Sequence, residues 1–240
     1  MRELRLPKPG AFGDQPVVHH FDQQSWRSFR PGFFDLRVTP SETIASQSPL
    51  DQMRVATEGG GANGTPGYLA TPAVDGNEFY AETTPIWWVP ARVYDLRNTW
   101  CTFYLKEIEP ISVAPGYETV LFIASNVLDA RVPRGVHIDG WFLNEPLKVG
   151  RGVWAYNEIL LTTDESKWFH YTGNLTPEDT LDRTLGNLGY IGWSHRKLHM
   201  GKGVGATGVM GWDEVCFNLK EKDLARVRAG QEPEGALTVW

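Results

Sequence analysis

The chain has 240 residues, a formal net charge of −6, and 41% hydrophobic against 22% charged residues. That composition supplies enough apolar surface for a sizeable core. Nucleic-acid binding requires a basic surface, and this chain is negatively charged, so no nucleic acid partner is predicted. No run approaches the roughly 18 apolar residues of a membrane span, and charges and prolines interrupt the first twenty residues, so we expect no membrane span and no signal peptide. The sequence does not fix where the protein is located: it could belong to a virus particle or reach the cell exterior by a non-classical route.

Residues 1–16 are punctuated by proline and glycine and have little periodicity, which predicts an extended N-terminal arm. A first strand and an aromatic turn region follow in residues 17–36, and residues 40–66 are rich in Ser, Thr, Gly and Asn, which is typical of a loop. The segment YLATPAVDGNEFYA then alternates around an Asp-Gly-Asn turn and predicts a hairpin.

Residues 99–219 contain a series of short aromatic and β-branched runs, each closed by turn formers. Runs of this length and spacing predict a single all-β domain, an antiparallel jelly-roll β-sandwich spanning residues 17–219. Because such a scaffold does not by itself set the function, the function must be argued from a site.

Only one segment, LKEKDLARVRAG, has helical spacing of its apolar residues, and Gly230 stands where a helix C-terminal cap belongs. We therefore predict a short C-terminal helix and tail in residues 220–240. Together with residues 1–16, this end is a candidate contact for partner subunits. The alternative is a helix packed back on its own sandwich.

The two cysteines, Cys101 and Cys216, both lie in predicted strands. They are expected to be packed as small hydrophobic residues, and a disulfide becomes possible only if the two strands are neighbours.

The ten tryptophans exceed what a sandwich core of this size needs, and several fall in or beside strands. Strand alternation places Trp154, Tyr156 and Glu158 on one face of their strand, and Trp193 and His195 on one face of theirs. Flat aromatic rings can stack on the apolar face of a sugar while polar neighbours bind its hydroxyls. These five residues are our candidate glycan-binding groove, and core packing is the alternative for each tryptophan.

The order HHFD, GYLATPA, YDLRNTWCTFYLK, LGNLGYIGW and GVMGWDEVCFNL resembles the concanavalin A-like, laminin G-like jelly roll of lectins, carbohydrate-binding modules and glucanases. The resemblance spans roughly residues 17–219. It implies two facing antiparallel sheets that bind carbohydrate in many members, and in some members a structural Ca²⁺. Here that cation would point to Asp22, Asp213 and loop carbonyls, since oxygen ligands suit a hard cation. An ordinary turn or ion-pair role for these aspartates is the alternative.

No catalytic set is assembled in the sequence, so no catalytic residue is predicted. Glucanases of this fold use alternating acidic residues on one strand, whereas Asp213 and Glu214 are adjacent and would face opposite sides of a regular strand. A dispersed pair such as Glu145 and Glu158 stays open.

His137 and Asp139 share a predicted strand face, and His195 or His199 could complete the facial triad of non-haem iron oxygenases. The absence of outer helices from the predicted fold speaks against it.

The sequence thus predicts a non-catalytic glycan-binding or adhesion module with a lectin-like sandwich, whose partner is carbohydrate or a cell-surface glycan. Two alternatives remain. One is a structural decoration, fibre or tail subunit of a virus particle that does not bind sugar, and the other is a polysaccharide-degrading enzyme of the same fold.

Overall fold

The structure is a computed structural model that describes residues 15–19, 30–34, 45–46, 54–72, 78–82, 95–128, 136–170, 180–186, 188–196, 198 and 206–239. Two β-sheets make up nearly all of this part of the chain. The predicted fold class, an all-β jelly-roll β-sandwich with a short C-terminal helix, is confirmed.

The larger sheet has eight strands. They are β1 (Val17–His19), β4 (Arg54–Ala56), β5 (Tyr68–Pro72), β7 (Thr99–Val113), β10 (Gly150–Arg151), β11 (Ala155–Leu161), β14 (Ala206–Leu219) and β15 (Leu237–Val239). The central path of the sheet runs β10-β7-β14-β1-β15, strand β11 also pairs with β7, and β5 joins β14 to β4.

The smaller sheet has seven strands in the order β12-β9-β8-β13-β6-β2-β3. They are β2 (Arg30–Phe34), β3 (Ala45–Ser46), β6 (Glu78–Glu82), β8 (Glu118–Leu128), β9 (Val136–Pro146), β12 (Trp168–His170) and β13 (Leu188–Arg196). Most pairings in both sheets are antiparallel, but β15 runs parallel to β1 and β10 runs parallel to β7.

The main core lies between the two sheets, because alternate residues of the central strands face each other there. Phe103 and Trp212 of the larger sheet are buried in this core, with their ring centroids 6.0 Å apart. Ile123 and Trp193 of the smaller sheet belong to the same cluster. The outer face of the larger sheet is therefore the opposite side of β7, β11 and β14.

Two helices accompany the sheets, α1 (Leu181–Gly186) and α2 (Glu221–Arg228). The sequence analysis did not identify α1. Helix α2 ends as its sequence predicts, with Gly230 at a φ of +69°. Within the described residues, neither helix is long and apolar enough to cross a membrane.

The C-terminal segment is held on its own sandwich. Leu224 and Val227 of α2 pack with Val18, Cys216 and Leu219 on the outer face of the larger sheet. Strand β15 extends the same sheet, so the described tail is a sheet element as well as a helix. Residues 1–14 lie outside the described part of the chain, and a contact of either end with a partner subunit stays a prediction.

Cys101 and Cys216 are both buried and free, although β7 and β14 are neighbouring strands. Cys216 lies opposite Thr102 in the register, so Cys101 faces the other side of the sheet. Cys101 packs in the main core and Cys216 packs beneath α2. The thiols are thus on opposite faces and cannot approach each other.

Candidate functional site

The outer face of the larger sheet brings together three of the five predicted glycan-binding residues, Trp154, Tyr156 and Glu158. Alternation along β11 turns Asn157 to the other face, where its side-chain amide bonds both the N–H and the C=O of Lys148, at 2.8 and 2.9 Å. This anchor fixes which face the aromatic residues occupy.

The Trp154 side chain can lie across the sheet because Gly211, its neighbour on β14, has no side chain. A Cβ at Gly211 would come within 2.8 Å of Trp154 Cη2 and 2.9 Å of Ile108 Cδ1. The indole reaches Tyr68 on β5 with a centroid separation of 5.3 Å and an edge-on angle of 69°, and Lys106 Nζ is 5.5 Å from its ring centroid. Trp154 is half-buried, and its Nε1 is buried without a hydrogen-bond partner among the described residues.

Tyr156 pairs with Tyr104, its register partner on β7, at a ring-centroid distance of 5.2 Å. The Tyr156 hydroxyl donates a hydrogen bond to Glu158 Oε2 at 3.0 Å, and Asn63 Nδ2 donates one to the Tyr104 hydroxyl at 3.2 Å. Burial and Glu158 raise the pKa of Tyr156, so its hydroxyl remains a donor. We call Trp154, Tyr156 and Tyr104 the aromatic platform.

Glu158 is fixed from α2. Arg228 donates from Nε to Glu158 Oε2 at 2.8 Å and from Nη2 to Oε1 at 2.5 Å. These bonds keep the pKa of Glu158 below its usual range, and the carboxylate is therefore ionised at neutral pH. The forked ion pair joins the C-terminal helix to the aromatic platform.

Trp193 and His195 do not join this face, and the prediction of one groove lined by all five residues is wrong in that respect. Both belong to β13 in the other sheet, and they are only 3% exposed. Trp193 packs in the main core with His195 against it at 5.4 Å, and His195 Nδ1 shares a hydrogen bond with Thr119 Oγ1 at 3.1 Å. Burial lowers the pKa of His195 to about 4, so it is a neutral interior residue.

Asp213 is fully buried beneath the loop that connects β4 to β5. Its Oδ2 accepts hydrogen bonds from the Ala62 N–H and from Thr65 Oγ1, both at 2.8 Å, while Oδ1 has no hydrogen-bond partner among the described residues. Burial raises the pKa of Asp213 to about 7. The loop is thereby clamped to the outer face of the larger sheet.

The packing around Asp213 is tight at Gly61. A Cβ at Gly61 would collide with Thr65 Oγ1, the Gly67 carbonyl oxygen and Asp213 Oδ2, so this position has room only for glycine. Of the two predicted Ca²⁺ ligands, Asp213 has one oxygen, Oδ1, without a hydrogen-bond partner among the described residues. Asp22, the other predicted ligand, lies outside the described residues.

A β-bulge re-aims Glu214, which has a φ of +51° where the β14–β7 register shifts between Asp213 and Cys216. The expectation that Asp213 and Glu214 face opposite sides holds only for a regular strand. Here Glu214 lines a pocket on the same outer face that buries Asp213, because a bulge changes the alternation of side chains.

This pocket, of about 180 Å³, lies between the end of α2, the β4–β5 loop and the sheet. We call it the α2 pocket. It is lined by Val18, Asn63, Thr65, Tyr104, Glu214, Cys216, Val227, Gly230, Gln231 and Glu232. Tyr104 belongs to both the α2 pocket and the aromatic platform, which makes the two surfaces continuous.

In the described part of the chain, no group of three or more His, Cys, Asp or Glu side chains could hold a metal ion. His199 and the side chains of His137 and Asp139 lie outside that part, so the facial triad stays a prediction.

The sequence did not indicate Tyr104, Asn63 and Arg228 as residues of this face, and it indicated Glu214 only as an acid on the opposite side of the strand from Asp213. Only the Asn63–Gly64 pair carried a local signal, as a turn former.

No family model and no curated protein matches the chain. Among solved structures, it is similar to a family 11 carbohydrate-binding module from Clostridium thermocellum in complex with a β-1,3-1,4-mixed-linked tetrasaccharide. The identity is 11%, the TM-score is 0.45, and the match covers 85% of this chain and 95% of that one.

It is also similar to the CBM22-1 xylan-binding domain of a Paenibacillus barcinonensis protein (10% identity, TM-score 0.39, 84% of this chain and 92% of that one). A third similar structure is the L4b domain of human laminin alpha-2 (12% identity, TM-score 0.43, 87% and 99%).

Proposed function

We propose that this protein is a non-catalytic glycan-binding module and that its carbohydrate binds on the aromatic platform. The observation that carries the proposal is the presence of Trp154, Tyr156 and Tyr104 on the same outer face of the larger sheet, each of them half-buried. Tyr156 lies in β11 and Trp154 directly precedes that strand, so adjacent units of an extended glycan can meet successive rings.

The polar groups beside the rings support the same proposal. Sugars present apolar C–H faces and hydroxyl edges, and a binding site must satisfy both. Asn63 and the Tyr104 hydroxyl stand at the edge of the platform, 3.2 Å apart. Since Arg228 holds Glu158 as an ionised acceptor, Glu158 is suited to fixing Tyr156 and not to donating a proton.

Affinity gel electrophoresis tests the proposal with soluble β-glucan, xylan and galactomannan as the probes. We expect at least one of these polysaccharides to retard the wild-type protein. Trp154→Ala and Tyr156→Ala should each weaken that binding by about 30-fold or more, the effect of losing roughly 2 kcal/mol at an interface hot spot. Tyr117→Ala is the matched control, because Tyr117 lies at the β7–β8 turn.

The proposal fails if none of the three polysaccharides retards the wild-type protein. It also fails if Trp154→Ala and Tyr156→Ala migrate like Tyr117→Ala.

We also propose that Asp213, with loop carbonyls, holds a structural Ca²⁺, and the supporting observation is that Oδ1 of this buried carboxylate has no hydrogen-bond partner among the described residues. The ion would supply positive charge to a buried carboxylate and fix the β4–β5 loop that carries Asn63. CaCl₂ should raise the Tm of the EDTA-treated protein, and Asp213→Asn should abolish that increase. Asp164→Asn is the control, since Asp164 only caps an exposed turn. An equal Ca²⁺-dependent Tm increase in Asp213→Asn would refute this site.

The roles as a virus-particle subunit and as a polysaccharide-degrading enzyme stay predictions. Size-exclusion chromatography with light scattering tests the first: a monomer at high concentration contradicts it, and a defined oligomer supports it. Release of reducing sugar from the retarding polysaccharide tests the second.

A further inference from the structure

The α2 pocket combines an apolar floor with polar walls. Its floor is formed by Val18, Cys216 and Val227, which belong to three different elements. Its volume of about 180 Å³ far exceeds the roughly 10–15 Å³ that a single water needs. The pocket is therefore large enough for an organic ring and is open to the face that carries the aromatic platform.

The walls supply both kinds of hydrogen-bonding group that a sugar needs. Side-chain amides come from Asn63 and Gln231, and hydroxyls come from Thr65 and Tyr104. An amide N–H donates to a sugar oxygen, and an amide or hydroxyl oxygen accepts from a sugar O–H. This mixture matches the hydroxyls of a pyranose, each of which both donates and accepts.

The charges of the pocket select among sugars. Glu214 and Glu232 line it, and none of its lining residues is Lys, Arg or His. Carboxylates accept hydrogen bonds from neutral hydroxyls, whereas an anionic sugar would meet like charge at short range. The pocket is thus chemically unsuited to uronic acids and to sulfated sugars.

Two backbone features hold the pocket in shape without a ligand. Asn63 has a φ of +53° in a loop clamped by Asp213, and Gly230 has a φ of +69° at the end of α2. Gln231 follows Gly230, and its N–H bonds the Arg226 carbonyl at 2.9 Å. Both amides therefore project from backbone that is ordered without a ligand.

We propose that the α2 pocket is a second subsite that binds one uncharged pyranose, a branch or terminal unit of the glycan whose backbone lies on the aromatic platform. This inference rests on the proposed function for the platform, to which the pocket is joined by Tyr104. The expected ligands are therefore neutral glycans that offer either a branch or a chain end to the α2 pocket.

The test is NMR titration of the ¹⁵N-labelled protein with the methyl pyranosides of glucose, galactose, mannose and xylose, each up to 50 mM. We expect at least one to shift the side-chain amide signals of Asn63 and Gln231 with a Kd in the millimolar range. Glucuronate should shift them far less at the same concentration.

The variant Asn63→Gly removes the amide and keeps a residue that accepts a positive φ. It should weaken pyranoside binding by about 2- to 13-fold, the equivalent of one hydrogen bond. Asn98→Gly is the matched control, because Asn98 also has a positive φ, of +55°, and lies outside the pocket.

The inference is overturned if none of the four pyranosides shifts these signals, if glucuronate shifts them equally, or if Asn63→Gly behaves like Asn98→Gly. Trp154→Ala separates the two proposals. Pyranoside binding that persists in Trp154→Ala supports a distinct subsite, whereas polysaccharide retardation without any pyranoside effect refutes the subsite and leaves the platform intact.

Discussion

Gly211 provides the sharpest test of how the aromatic platform is built. Gly211→Ala places a methyl group 2.8 Å from Trp154 Cη2 and 2.9 Å from Ile108 Cδ1. Ordinary van der Waals contact begins near 3.4 Å, so the indole must retreat by about 0.6 Å or more. Because the methyl group rises from the sheet, the retreat lifts or tilts the ring away from its seat.

The expected magnitudes follow from this displacement. A displacement of the indole by about 0.6 Å or more should weaken polysaccharide binding, but by less than the roughly 30-fold expected when Trp154→Ala removes the ring. Overpacking against Ile108 adds a stability cost of about 1–3 kcal/mol, or roughly 2–12 °C in Tm for a domain of this size.

The assay compares polysaccharide affinity and Tm for Gly211→Ala, Trp154→Ala and the double variant. Since Gly211 acts on binding through Trp154, Gly211→Ala should weaken binding little further in the Trp154→Ala background. Gly186→Ala is the control, because the nearest atom to its new methyl group is a flexible Arg97 side chain at 3.4 Å. Wild-type affinity in Gly211→Ala, or fully additive losses in the double variant, would refute the reasoning.

Three further predictions concern other contacts. The Glu158–Arg228 ion pair lowers the pKa of Glu158, so its stabilisation is fully present above the ordinary pKa of Glu, about 4.3, and is lost progressively as the pH falls through the lowered value; the Tm advantage over Arg228→Gln, a few degrees at most, should be smaller in thermal scans at pH 3 than at pH 7. A Tm gap that is unchanged between pH 7 and pH 3 would contradict this. His195 is buried with a pKa lowered from 6.5 to about 4, so the unfolded chain takes up the proton first and stability falls between those pH values by on the order of 3 kcal/mol. In urea unfolding measured across that pH range, the free energy of unfolding of His195→Gln should depend less steeply on pH than that of the wild-type protein. An identical pH dependence would count against the assignment. Burial raises the pKa of Cys101 and raises that of Cys216 to about 12, so a thiol reagent should label neither in the native protein and both in guanidinium; rapid native labelling would be inconsistent with the packing.

The sequence predicts the sandwich and half of the binding face, because both depend on local periodicity. Alternation in β11 correctly puts Trp154, Tyr156 and Glu158 on one side of their strand. The same rule puts Trp193 and His195 together, but periodicity does not say which side of a strand becomes interior when both sides carry apolar residues.

The remaining parts of the face depend on contacts between distant segments. Tyr104 joins Tyr156 through strand register, and Asn63 reaches the face because Asp213, 150 residues away, bonds its loop. The bulge at Glu214 changes the alternation of side chains along β14, and the residue types alone do not reveal this bulge. These features arise from tertiary pairing, which no short window of sequence encodes.

The central claim is that a neutral glycan lies on the outer face of the larger sheet. The most direct measurement is NMR titration of the ¹⁵N-labelled protein with an oligosaccharide cut from the polysaccharide that retards it, following the indole N–H signals of the tryptophans. We predict that the Trp154 signal and the backbone signals of Tyr104 and Tyr156 shift in parallel, while those of Trp193 and Trp212, buried in the main core, do not. Shifts confined to the seven-stranded sheet, or binding that leaves the Trp154 signal unmoved, would contradict the account.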